Sequence, residues 1–254
     1  MKAANPEIKI VEDSAALSHK AADIFIHQIA AMSSQKPFFS LALSGGSTPK
    51  TLYSLLVEKR SLKSQIPWNK IHFFWGDERH VPPHHADSNF RMAKETMFDK
   101  AEILPENIHR VRAEDPDADQ AAREYEQHLW KFFRPAAGHL PVFDFVLLGM
   151  GPDGHTASLF PGTTALREQK RLVVANWVDK FQTYRLTMTL PLLNNAAMIV
   201  FLVSGKEKAD ILKMVLEGSH QTDPLPSQLI RPQSGRLLWL VDRAAASRLS
   251  LENL

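Results

Sequence analysis

The chain contains no cysteine. That excludes disulfides, thiolate catalysis and cysteine-ligated zinc, and it fits a reducing compartment. An excess of charge of one sign is also missing. Lys and Arg total 30 against 28 Asp and Glu, a formal net charge of +2, with basic residues interspersed among acidic ones. Such a balance leaves no electrostatic footprint for nucleic acid. Long apolar runs are lacking as well. The longest, Ala196 to Val203, falls far short of the roughly 20 residues of a membrane-spanning helix. The start, Met1-Lys2-Ala3-Ala4-Asn5-Pro6-Glu7, has no apolar segment of the kind a secretory signal requires. The expectation is a cytoplasmic protein with no nucleic-acid or membrane partner.

What is present is ample core material, since 44% of the 254 residues are hydrophobic. Apolar runs alternate with helical patterns over the whole length. Strands are predicted at Ile8 to Val11, Phe38 to Leu43, Ile71 to Trp75, Val142 to Leu148, Arg171 to Val178, Arg185 to Thr189, Met198 to Val203 and Leu237 to Val241. Helices are predicted after Asp13 or Ser14, from Pro49 to Lys59, from Ser88 to Phe98, up to Phe133, from Lys206 to Glu217 and through Ala246. In the first of these helices Leu17, Ile24, Ile29 and Met32 recur near helical spacing. Alternation of this kind implies an α/β fold, a Rossmann-like, mostly parallel sheet with helices on both faces. No repeat or low-complexity linker divides the chain, so one domain over residues 1–254 is expected. Pro105 to Pro116 is the best candidate for a subdomain boundary.

Ligands of open α/β sheets bind beyond the carboxyl ends of the strands, so the residues that follow each strand are informative. After Leu43 comes Ser44-Gly45-Gly46-Ser47-Thr48-Pro49. Two glycines let the backbone approach a ligand, three hydroxyls can donate to oxyanions, and the next helix begins with free N–H groups. The loop reads as a phosphate site; the alternative is a glycine turn before a capped helix. It is not a Walker A loop, since the spacing is wrong. After Trp75 comes Gly76-Asp77-Glu78-Arg79, either a polar site or a solvated loop with a surface ion pair. His80, His84 and His85 lack the spacing of a metal site. After Leu148, Gly149-Met150-Gly151-Pro152-Asp153-Gly154 matches the dinucleotide fingerprint literally. Pro152 inside the turn and the missing acidic ribose ligand argue against that reading. Asp153 and His155 flank Gly154 instead: a carboxylate beside an imidazole, suited to proton transfer near neutral pH. The alternative is a histidine capping a helix that starts near Thr156. Arg185 and Lys206 are further cations at strand ends, each individually weak.

Taken together, Leu43 to Pro49, Gly76-Asp77-Glu78-Arg79 with Val81-Pro82, Ser88-Asn89, and the block Gly149 to Pro161 resemble the glucosamine-6-phosphate isomerase/6-phosphogluconolactonase family. Arg185 with Thr187, Ser204-Gly205 with Lys206, and Pro226 to Leu229 continue the match in order, over most of the chain. Within the family the lactonase branch fits better. The deaminase branch carries an Asn-Glu pair where this chain has Leu159-Phe160, and that Glu belongs to its catalytic histidine system. A phenylalanine is expected neither to relay a proton nor to orient an imidazole.

The resemblance and the strand-end residues together imply hydrolysis of 6-phospho-D-glucono-1,5-lactone, a step of the oxidative pentose phosphate pathway. The phosphate is expected on Ser44, Gly45, Gly46, Ser47 and Thr48, clamped by Arg185 and Lys206. His155 is the expected base for water, with Asp153 holding it. Arg79 or backbone N–H groups are expected at the oxyanion, and Asp77 at Arg79 or a sugar hydroxyl. No metal, nucleotide or other cofactor is implied, and the partner is a small sugar-phosphate lactone acted on by a monomer or weak homodimer. The rival expectations are a glucosamine-6-phosphate deaminase-like enzyme and a non-catalytic sugar-phosphate sensor.

Overall fold

The computed structural model describes residues 6–32, 36–218 and 224–250. Met1 to Asn5 and the side chain of Met32, both used in the sequence reading, lie outside the described residues.

The strands are β1 (Glu7–Val11), β2 (Phe39–Leu43), β3 (Ile71–Trp75), β4 (Asp77–Arg79), β5 (Phe145–Leu148), β6 (Val173–Val178), β7 (Thr183–Met188), β8 (Met198–Val203) and β9 (Arg236–Asp242). Six of them form one sheet in the order β1-β9-β8-β5-β2-β3, and every pairing in it is parallel. β2, β5 and β8 are buried at every position, as strands covered on both faces must be. Their near-continuous apolar sequences follow from that placement.

The helices begin where the sequence supplies acceptors for their free N–H groups. Asp13 accepts from the Ala16 N–H at 2.8 Å, opening the helix Ser14–Met32. Ser88 caps Asn89–Thr96. Asp117 accepts from the N–H groups of Asp119 and Gln120 at the start of Ala118–Phe133. Pro49 lies in the first turn of Ser47–Glu58, where its missing N–H costs nothing.

Four expectations need correction. β6 and β7 do not join the parallel sheet. They pair antiparallel with each other and with β4, in a separate three-stranded sheet ordered β4-β7-β6. The connection Asp179–Gln182 is a tight turn with Gln182 at φ 50°, too short for a parallel crossover. β4 itself lies in a stretch that read as loop. The strand expected from Val142 begins only at Phe145. Asp144 is diverted there, accepting from the Ser40 N–H and hydroxyl, both at 2.8 Å, and from Lys36 at 2.5 Å. Finally, no helix starts near Thr156; that segment is a chain of turns with Ala157 at φ 47°.

One apolar core runs between the layers and reaches both sheets, taking in Val173, Leu186 and Met188 of the small sheet. Residues that follow β2, β5 and β8 line one cleft together with Asp77 and Arg79 of β4.

Candidate active site

The loop after β2 is held from below. The Ser44 N–H donates to the Tyr53 hydroxyl at 3.0 Å, and that hydroxyl donates back to the Ser44 carbonyl at 2.9 Å. Tyr53 is fully buried, which pushes its acidity far out of reach and keeps the donor in place. Gly46, at φ 105°, precedes the helix Ser47–Glu58 and gives it no side-chain cap. The first N–H groups of that helix are thus left to an anion. A Cβ on Gly45 would lie 2.0 Å from Asn89 Oδ1. Asn89 in turn donates to the Asp77 carbonyl at 2.9 Å, so loop and β4 are locked together.

Along β4 the side chains alternate. Asp77 and Arg79 line the cleft. Glu78 points the other way and is buried. Its carboxylate accepts from the N–H groups of Arg79 and Asn89 at 2.7 Å and Phe90 at 2.8 Å. Burial pushes its pKa up, while those N–H groups pull it back. Glu78 is thus a helix-anchoring group and not part of the cleft. Asp77 accepts from the Ser158 hydroxyl at 2.6 Å, and the Ser158 N–H donates to the Thr187 hydroxyl at 3.2 Å.

The turn after β5 builds the third wall. The Gly151 N–H donates to the His155 carbonyl at 2.8 Å, and Gly154 sits at φ 75°. The Ser227 N–H and hydroxyl clamp the Gly154 carbonyl at 3.0 and 2.8 Å. On this turn the His155 Nδ1 is paired with Asp153 Oδ1. Lys180 Nζ stands 3.6 Å from the other Asp153 oxygen. Burial works to raise the Asp153 pKa, but the contact with His155 outweighs it and leaves the carboxyl below its usual range. With Nδ1 engaged, Nε2 is the ring nitrogen left for chemistry. Phe160 stacks on the imidazole, ring centroids 4.1 Å apart and 27° between planes.

These walls enclose a cleft of about 280 Å³. Ser44, Gly45, Gly46, Ser47, Thr48, Asp77, Arg79 and His155 all line it. Asp153 lies behind His155. Arg185 and Lys206 are not among the lining residues; Lys208 is. Arg185 stands beside the cleft on β7, opposite Arg79. Lys206 opens a single 3-10 turn, Lys206–Lys208, that brings the second lysine of Gly205-Lys206-Glu207-Lys208 to the cleft. Residue type alone does not distinguish the two lysines, and only the turn geometry does. Ser158 and Gly151 were also missed. A Cβ on Gly151 would meet the imidazole at 2.0 Å, a constraint hidden inside a motif that reads as a turn.

Fold and site define an open α/β protein with a glycine- and hydroxyl-rich loop beside a carboxylate–imidazole pair. The chain belongs to the glucosamine-6-phosphate isomerase/6-phosphogluconolactonase family, whose model matches residues 12–239. It is 43% identical to the 6-phosphogluconolactonase of Nostoc sp. over 96% of this chain and 98% of that one. Its structure resembles the 6-phosphogluconolactonase of Trypanosoma cruzi, with TM-score 0.84 and 31% identity over 98% of each chain. A monomeric glucosamine-6-phosphate deaminase shares the fold at TM-score 0.79 and 23% identity, covering 95% of this chain and 99% of that one.

Proposed function

We propose that the protein hydrolyses 6-phospho-D-glucono-1,5-lactone to 6-phosphogluconate, with His155 as the base. The observation that carries the reading is one cleft lined by both an anion loop and an imidazole whose Nδ1 is tied to a carboxylate. The named relatives, similar over nearly the full length, support the reaction class.

In this account the substrate phosphate sits on the Ser44 to Thr48 loop, with Lys208 and the Arg79–Arg185 pair supplying positive charge. Lys208 takes the role the sequence assigned to Lys206. Binding the remote phosphate fixes the lactone carbonyl near His155, so positioning carries much of the rate. Nε2 takes a proton from water as the water oxygen bonds to the carbonyl carbon. Asp153 stabilises the imidazolium. The carbonyl oxygen becomes an oxyanion facing Arg79 or backbone N–H groups of the glycine turn. Collapse re-forms the C=O bond and breaks the bond to the ring oxygen, which takes the proton from Nε2. The new carboxylic acid then ionises, releasing one proton to solvent. Asp77, held by Ser158, is placed to accept from a sugar hydroxyl.

The deaminase reading lacks its acid. Leu159 and Phe160 are buried and apolar, and Phe160 lies against His155. Part of the same proposal is a cytoplasmic monomer or weak homodimer whose partner is this small solute and not nucleic acid, in keeping with its balanced charge. The test offers pure protein both substrates. Proton release from fresh lactone above the spontaneous rate, with no ammonia from glucosamine 6-phosphate, is expected. The reverse pattern would replace this reading with the deaminase.

A further inference from the structure

Phe160 has no proton to move, yet its ring lies against the imidazole of His155. It is 6% exposed. Its carbonyl accepts from the Thr163 hydroxyl at 2.8 Å and the Thr163 N–H at 3.2 Å. The Thr156–Leu159 bridge, with Ala157 in the left-handed region, folds the chain back so that the ring meets His155. Phe181, on the turn between β6 and β7, contacts Phe160 edge-on at 5.9 Å. The ring is therefore fixed by its own backbone and backed by a second aromatic.

A hydrogen bond to Nδ1 sets the direction of one ring nitrogen only. The ring can still rock through small coupled side-chain rotations while keeping that bond, and rocking would shift where Nε2 points. Two contacts oppose this motion. Phe160 covers a ring face, and Gly151 approaches so closely that no side chain fits there. The stacked ring also keeps water off that face.

We infer that Phe160 is a positioning residue for the hydrolysis: it holds the His155 imidazole in the plane that aims Nε2 into the cleft. This rests on His155 being the base. The charged groups around the imidazole are Asp153 on its own turn, Lys180 between β6 and β7, and Asp77, Arg79, Glu207 and Lys208 across the cleft. Replacing Phe160 alters none of them, so a change in behaviour belongs to the ring.

The test compares Phe160→Leu, Phe160→Met and Phe160→Tyr with wild type and His155→Ala. The Met variant keeps most of the side-chain volume and guards against a folding failure of the Leu variant. Loss of the ring should lower kcat by about 10–100-fold, the scale set by a misplaced catalytic group, with KM within about twofold because the phosphate loop is untouched. Phe160→Tyr, which keeps the ring, should restore most of the rate. A purely structural role would lower the melting temperature and leave kcat of the folded variants unmoved. Wild-type kcat in the folded Leu and Met variants, with His155→Ala inactive, would overturn the positioning role alone. Full turnover by His155→Ala would instead remove the base, and this inference with it.

Discussion

Arg79 and Arg185 stand directly opposite each other in the β4–β7 pairing. Like charges in that relation oppose folding. The cost shows at Arg185, whose pKa is lowered first by burial and then by Arg79. Partial compensation comes from the Asp87 carbonyl, which accepts from Arg79 at 2.7 Å, and from the Phe181 ring, 5.3 Å from the Arg185 guanidinium. A bound phosphate dianion would relieve the repulsion. Arg185→Ala should therefore weaken 6-phosphogluconate binding at least about tenfold, roughly 1.4 kcal/mol, without lowering the melting temperature of the free protein. Calorimetric titration and thermal melts check both halves. A variant that binds normally would take Arg185 out of the phosphate site.

Only one of the two neighbouring lysines reaches the cleft. Lys208→Ala should raise KM by about tenfold or more, the loss of one charge-assisted contact to phosphate. Lys206→Ala should leave KM within about twofold, as an exposed cation would. Steady-state kinetics on the two variants decide it, and equal effects would contradict the geometry.

Gly151 is the tightest constraint on the dyad. A Cβ there would lie 2.0 Å from both Cε1 and Nδ1 of His155, so Gly151→Ala must displace the ring. The expected result is a fall in kcat of about a hundredfold with product binding little changed. Near-normal kcat would show that the imidazole has room to spare.

Much of this was legible from sequence where chemistry and periodicity coincide. β2, β5 and β8 are apolar because both faces are covered, and the loops after β2 and β5 carry their glycines where the cleft needs close approach. What was not legible depends on tertiary geometry. Asp77-Glu78-Arg79 has no strand pattern of its own; pairing with Thr187, Leu186 and Arg185 makes it one. The parity of that strand then sends Asp77 and Arg79 to the cleft and Glu78 to the helix end. Likewise, a phenylalanine two residues from a serine in a turn does not announce a stacking contact. That contact depends on the positive φ at Ala157.

Outside the cleft lining, three histidines form a hydrogen-bonded chain. His72 Nδ1 is 2.8 Å from His109 Nε2, and His109 Nδ1 is 2.7 Å from His128 Nε2. One proton per contact suits three neutral rings. Burial pushes all three below the ordinary histidine value, His109 to about 3 with its two neighbours adding to the effect. Glu106 partly opposes the shift at His72, and Lys131 adds to it at His128. The unfolded chain, with histidine near about 6.5, binds more protons below that pH than the folded one does. Stability present above pH ~6.5 is therefore lost as pH falls toward 3. The melting temperature should drop by several degrees between pH 7.5 and 5.0, where 1 kcal/mol corresponds to about 2–4 °C for a domain of this size. His109→Gln should flatten that slope. An unchanged melting temperature across the range would contradict the neutral chain.

His155 is proposed to activate water. The most direct test follows proton release from freshly prepared lactone, because lactones also open spontaneously, with wild type beside His155→Ala. The account predicts acceleration above the blank that the variant loses by a factor of at least about 100, the range of general-base catalysis, while 6-phosphogluconate still binds. A folded His155→Ala protein that turns over at the wild-type rate would contradict it.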